Sequence, residues 1–287
     1  MTTVRILCDN SIGRLDFLGE HGFAALIERE QGRFLFDTGQ GLTLPHNVKA
    51  AGIDLRDLRA VVLSHGHYDH TGGLPWVLQH TGPVKVVAHP ALFDPHMTRR
   101  SDVAGGSGRF IGCPATRAAL ERAGARFEFH PETCELAPGV WFVAGYARNP
   151  AQTPADPQLV LPGDDGPQPD PIAEDASLLL ETAAGPVLIL GCAHGGVLNI
   201  LDHLASRLGV SRLHAVLGGT HLMFFPPEKI QAVIQRLEAC GVAQVGVSHC
   251  TGRDAAMRLA LHFGPRFSHA AAGSVFAAPS GSVAMPA

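Results

Sequence analysis

Short apolar runs separated by Gly and Asp dominate the first ninety residues: VRILC, FAALIE, RFLFDTG, AVVLSHGH and VKVVAHP. Runs of this length, rich in β-branched and aromatic residues, read as buried strands. Between the third and fourth, LTLPHNVKAAG has helical spacing and stops at Gly52, a suitable C-cap. After residue 171 the strand pattern returns as SLLLET, PVLILG, LHAVLGG and AQVGVS. The stretches VLNILDHLASRLG, PPEKIQAVIQRLEACG and GRDAAMRLALHFG follow the later runs and read as helices. Two α/β halves of similar make-up predict a four-layer αββα sandwich of two mixed sheets, with helices on the outer faces.

The middle of the chain breaks this pattern. Residues 91–171 hold one helical stretch, ATRAALERAG, and weak strands, and read as an insertion within a single domain spanning 1–287. Its end, residues 150–171, is proline-rich and reads as an irregular surface loop. The tail APSGSVAMPA reads as frayed.

Composition narrows the partners. A formal net charge of −4 with no basic block gives no footprint for nucleic acid. No run approaches the roughly 20 apolar residues of a membrane span. The N-terminus MTTVRILCDNS lacks the apolar core of a secretory signal. The expectation is a cytoplasmic chain acting on a small-molecule substrate, with neither nucleic acid nor membrane as partner and a homo-oligomer left open. Cys8, Cys113, Cys134, Cys192, Cys240 and Cys250 form no C-x-x-C pair and read as free thiols. The anomaly is histidine: 16 residues, against 2 Tyr and 2 Trp, which turns attention to histidine spacing.

The run from Ser64 to Leu74, SHGHYDHTGGL, follows the apolar run AVVL. Three imidazoles and a carboxylate within six residues suit a borderline-soft divalent cation. His65 and His67, two apart in an extended turn, can face one metal, while Asp69 and His70 begin the next turn and face a second position. Gly66, Gly72 and Gly73 read as freeing the backbone for a tight reversal. A structural zinc clip is the competing reading, but such sites favour cysteine and close all four positions. Further ligands are sought at strand ends in the second half. His194, His221 and His249 each lie just past an apolar run. Any one alone reads as a backbone-bonded histidine; together they read as convergence on one cleft, with His194 and His249 as ligands. His221 reads as a ligand, a substrate contact or a catalytic group.

The H-x-H-x-D-H run resembles the hallmark of the metallo-β-lactamase superfamily, and Phe36-Asp37-Thr38-Gly39 is similar to its acidic turn. The strings EHGFAALIE, LFDTG, HNVKAAGIDL, GCAHGGVLNI, GGTHL and SHCTG resemble one branch of it. That branch holds methanopterin-pathway dihydropterin (ribofuranosyl)aminobenzene phosphate synthases and related metal-dependent hydrolases. The resemblance spans nearly all of the chain except 91–171. It implies two divalent cations, zinc first and manganese or iron as alternatives, presenting hydroxide as nucleophile. Asp69 would hold one cation and orient that hydroxide. Asp37 would accept a hydrogen bond from a ligating imidazole, or serve only as a turn residue.

One departure stands out. Where the family places a bridging aspartate after glycine, this chain reads Gly191-Cys192-Ala193-His194. Cys192 is then a thiolate ligand or a small buried strand residue, and Asp175 falls near the position of a further family histidine. Thr251, ahead of the last helix, with free N–H groups there, suits an anionic substrate group or is an ordinary cap. Arg99, Arg100 and Arg109 read as a flap over the cleft or as solvated side chains. The implied activity is hydrolysis, or elimination of phosphate, on a phosphorylated or heterocyclic metabolite. The alternatives are a lactonase or β-lactam-type amidase, a redox di-metal protein, and a non-catalytic metal binder.

Overall fold

The computed structural model describes residues 1–99 and 108–279. Arg100 and nearly all of the tail lie outside them. Two seven-stranded mixed sheets carry the fold. The first contains β1 (Thr2–Cys8), β2 (Ala24–Arg29), β3 (Gly32–Phe36), β4 (Leu58–Val62), β5 (Val84–Ala88), β8 (Ala125–Phe129) and β18 (Val275–Ala278). Its order is β18-β1-β2-β3-β4-β5-β8, antiparallel as far as β3 and parallel from there to β8. The second contains β9 (Cys134–Ala137), β10 (Val140–Val143), β13 (Ser177–Leu180), β14 (Val187–Leu190), β15 (Ala215–Gly219), β16 (Gln244–Ser248) and β17 (Phe267–His269). In it β14 to β17 run parallel, while β9, β10 and β13 add antiparallel strands.

Period-two alternation assigns each strand's side chains to two different layers. Ile27, Phe34, Phe36 and Val62 point inward and pack against Phe142, Leu178, Leu180 and Ile189 of the facing sheet. Their neighbours Leu26, Leu35 and Val61 point outward, under α1 (Leu44–Ala50), α3 (Leu74–Thr81) and α4 (Arg117–Arg122). Leu179, Leu188 and Val216 likewise face α5 (Val197–Leu208), α6 (Pro227–Ala239) and α7 (Arg253–Phe263). The result is the αββα order. Among the described residues, no helix is long and apolar enough to cross a membrane.

A third, small antiparallel sheet adds to the expected two: β6 (Met97–Thr98), β7 (Arg109–Phe110), β11 (Leu159–Leu161) and β12 (Gln168–Pro169). Strands of two or three residues carry too little alternation to be legible. The stretch 91–171 is therefore divided, since β8 extends the first sheet and β9 and β10 extend the second. β17 and β18 also carry no clear pattern in sequence, yet β18 closes the first sheet by pairing Thr2 with Ala278.

The loop between β1 and β2 is pinned by buried Asn47 on α1. Its amide donates to Leu7 O at 2.7 Å and Leu18 O at 2.8 Å, and its carbonyl accepts from Leu18 N at 2.8 Å. Glu20 in the same loop accepts the backbone N–H groups of Gln40, Leu42 and Thr43, each at 3.0 Å. These contacts fix the loop beside the turn after β3. Asn47→Ala removes three bonds and leaves buried backbone groups unpaired, so it should cost about 3 kcal/mol. Urea unfolding is the check, and an unchanged midpoint would show that the loop is held by other means.

Candidate metal centre

The parallel strands β3, β4, β14, β15 and β16 end at one edge of the sandwich, and the histidine candidates emerge there. After β4 the chain runs through Ser64 and His65 to His67, which precedes the single turn α2 (Tyr68–Thr71) carrying Asp69 and His70. Gly66, Gly72 and Gly73 have no positive φ. Their role is close approach instead, because a Cβ on them would collide with Leu92 O, Gln40 O and Thr38 O respectively.

The first donor set is His65, His67 and His194. His65 Nε2 lies 3.1 Å from His67 Nδ1 and 3.3 Å from His194 Nε2. Zinc with Zn–N of about 2.0–2.1 Å has tetrahedral N···N edges of roughly 3.3–3.4 Å, so the spacing fits a cation. Burial, with mutual repulsion among the imidazoles, holds His65 and His194 well below the usual histidine range. Burial takes His67 down to about 4. Neutral nitrogens therefore face one another, the state a cation requires.

The second set is Asp69, His70 and His249. Asp69 Oδ2 lies 3.3 Å from His249 Nε2 and 3.9 Å from His70 Nε2, and those two nitrogens are 3.3 Å apart. Burial pushes the Asp69 carboxyl up, but His70, His21 and His249 outweigh it and hold it well below its usual range. Burial acts downward on His249, yet its bond to Asp69 prevails and raises it to about 9.

Asp37 links the sets. Its carboxylate accepts Ser64 N and Ser64 Oγ, each at 2.7 Å, and His70 Nδ1 at 2.7 Å. With its proton given to Asp37, Ser64 Oγ accepts from His65 Nδ1 at 2.8 Å. Both His65 and His70 thus carry their proton on Nδ1 and turn a bare Nε2 to the centre. Asp175 is not among the donors. It accepts the Tyr146 hydroxyl and Gly195 N, the latter at 2.8 Å, and so braces the loop carrying His194. Cys192 is buried with its sulfur 3.2 Å from His70 Nε2, within 4.8 Å of the His65 and His70 donors.

The remaining candidates diverge. His221 is buried, with its ring 4.2 Å from that of His194. The Thr251 hydroxyl donates to Ser248 O at 2.8 Å and accepts from Thr220 at 2.9 Å, so it is committed within the fold. Arg99 is exposed and donates to Pro167 O at 3.0 Å. Arg109 is also exposed and lies over the Tyr68 ring at 5.4 Å.

Several site residues escaped sequence reasoning. Asp9 accepts His249 N at 2.7 Å, and Asn10 Oδ1 accepts from His249 Nδ1 at 2.9 Å. The Asn10 amide N–H faces His21 Nδ1 at 3.3 Å, which puts the His21 proton on Nε2, 3.1 Å from Asp69 Oδ2. The available signals were the strand end at VRILC followed by Asp9-Asn10, and the histidine in EHGF. Behind His67 lies a further buried group. His96 contacts Asp170 at 2.6 Å and Glu174 at 2.8 Å, while Glu174 accepts Gly66 N at 3.2 Å. Burial works against the charged imidazole, but the two carboxylates raise His96 to about 10.

The chain belongs to the metallo-beta-lactamase superfamily, whose sequence model matches residues 19–211. It is similar to the 7,8-dihydropterin-6-methyl-4-(beta-D-ribofuranosyl)-aminobenzene-5'-phosphate synthase of Methanocaldococcus jannaschii, 26% identical over 278 residues and 90% of each chain. The uncharacterized protein MJ0448 of the same organism is 30% identical over 261 residues, covering 89% of this chain and 93% of that one. Among solved structures, Tm1679, a metal-dependent hydrolase of the beta-lactamase superfamily, aligns with a TM-score of 0.83 at 25% identity. That alignment covers 98% of this chain and 100% of Tm1679.

Metal loading can be checked in two ways. His67→Ala should remove one equivalent by elemental analysis while circular dichroism stays native; full retention would separate the motif from the metal. The two sets should also load differently with pH. The first is already proton-free near neutrality, whereas His249 must lose a proton whose pKa is about 9. In cobalt titrations, the second equivalent should tighten as pH rises toward that value and the first should change little. Equal pH dependence of both would contradict the assignment.

Proposed function

We propose that this chain is a metal-dependent hydrolase, or a phosphate-eliminating enzyme, acting on a phosphorylated or heterocyclic small metabolite. The observation that carries this reading is the adjacency of the two donor sets, with the His65 and His70 rings 4.1 Å apart. Support for the substrate class comes from likeness, across nine-tenths of both chains, to a synthase named for a dihydropterin and a ribofuranosyl phosphate. Two divalent ions bound there, zinc first among the candidates, would supply Lewis acidity toward a phosphoryl or carbonyl oxygen and acidify bound water.

The protein's own groups supply orientation. Asp37 and Ser64 fix the tautomers of His65 and His70, so the donor atoms need no rearrangement when substrate arrives. Asp69 stands at the rim of the second set. His21 donates to its Oδ2 and has a side chain 55% exposed. His21 therefore steadies the Asp69 carboxylate from the solvent side. The overall negative charge gives no long-range pull on an anion, so phosphate recognition rests on local groups.

With metal restored, phosphate esters should be turned over about tenfold or more faster than simple lactones or β-lactams, judged by kcat/KM. Inorganic phosphate should inhibit competitively. Ready lactone turnover without phosphate inhibition would replace this reading with that of a carbonyl hydrolase.

A further inference from the structure

A third group of donors lies beside the two imidazole-rich sets. The ligand atoms of Cys192, His221 and Cys250 all lie within 4.8 Å of one another. The three residues follow neighbouring strands: Cys192 comes after β14, His221 after β15 and Cys250 after β16. Gly219 allows the approach, since a Cβ there would stand 2.8 Å from Cys250 Sγ and 3.3 Å from Cys192 Cα. Cys250 Sγ receives the His221 backbone N–H at 3.3 Å and donates to Cys192 O at 3.4 Å, which fixes its position in the group.

An independent observation comes from the His221 ring. The residue is only 5% exposed, and neither ring nitrogen has a hydrogen-bond partner. An unpaired buried polar group is costly, and native structures rarely leave one without a reason. The His221 backbone is also held in the left-handed region at φ 53. Such strain persists only where the surroundings enforce it. The rings of His194 and Phe224 lie against the imidazole, with centroids at 4.2 Å and 4.5 Å.

We propose that Cys192, His221 and Cys250 form a further cation site that takes a thiophilic ion of the zinc(II) or copper(I) class. Two sulfurs and one imidazole are the donors such ions select. On binding, each thiol gives its proton to solvent and its sulfur lone pair to the cation. Two thiolates then balance a divalent charge in a buried space where neither alone is compensated. Because Cys192 Sγ also lies 3.2 Å from His70 Nε2, its sulfur stands between this site and the second set. The inference does not require the hydrolase reading, and its test does not measure turnover.

The test is anaerobic cobalt(II) titration of metal-free protein, with elemental analysis of bound metal. Wild type should show a thiolate-to-cobalt charge-transfer band in the near ultraviolet. Cys250→Ser should bind one equivalent less and lose most of that band, because a cation that no longer binds leaves both sulfurs. His67→Ala should lose metal from the first set yet keep the band. An unchanged band and stoichiometry in Cys250→Ser would overturn the proposal by leaving Cys192 as the sole sulfur donor. Absence of the band from wild type would overturn it without recourse to any variant. So would thiol counting that finds Cys192 and Cys250 joined as a disulfide in freshly purified protein that takes up no cobalt on sulfur.

Discussion

The carboxylate of Asp37 is the interaction on which the rest of the centre depends. It is fully buried, sits on a left-handed backbone at φ 59, and accepts bonds from Ser64 and His70. The same turn ties β3 to β4 and to α2, because Asp37 N donates to Val62 O and Thr38 N to His70 O. Remove the carboxylate and His70 loses the acceptor of its Nδ1 proton, while Ser64 loses the partner that leaves its oxygen free to accept from His65. Losses of this kind typically weaken metal affinity by about 10- to 100-fold even though no ligand is touched. Fold and chemistry meet in that one side chain, since it joins two parallel strand ends and sets two tautomers.

Much of this was legible in sequence, for identifiable reasons. Short continuous apolar runs mark strands buried on both faces, and β1 to β5 and β13 to β16 carry them. The H-x-H-x-D-H spacing is local, so composition and order alone expose it. His194 and His249 could be found because parallel strands open their C-terminal ends toward a shared crevice. Asp9, Asn10 and His21 could not be found that way. They are single polar residues in a loop, and their meaning arises only when the loop folds back on Asp69. Nor could Cys250 be paired with Cys192, since the contact runs across an intervening strand and depends on the missing side chain of Gly219.

The middle of the chain shows the same limit. The stretch 91–171 has weak patterning, yet His96, just before β6, and Asp170 and Glu174, at and beyond its end, form a buried ionic cluster against His67. Glu174 also holds Gly66 N, in the heart of the motif. Interactions between residues 74 apart leave no periodic trace in a sequence. A segment that looks peripheral in composition therefore helps to set the floor of the metal centre.

The bond between Asp9 and His249 spans 240 residues, and it has a bearing on biosynthesis. The first donor set is present in a nascent chain once His194 has left the ribosome. The second lacks a ligand until His249 has emerged and its strand has docked against the loop after β1. Were each set to take an ion, uptake would be ordered along translation, one equivalent being available to an unfinished product and the other only to a finished one. Full occupancy would then report that synthesis has passed residue 249 and that the two halves have met.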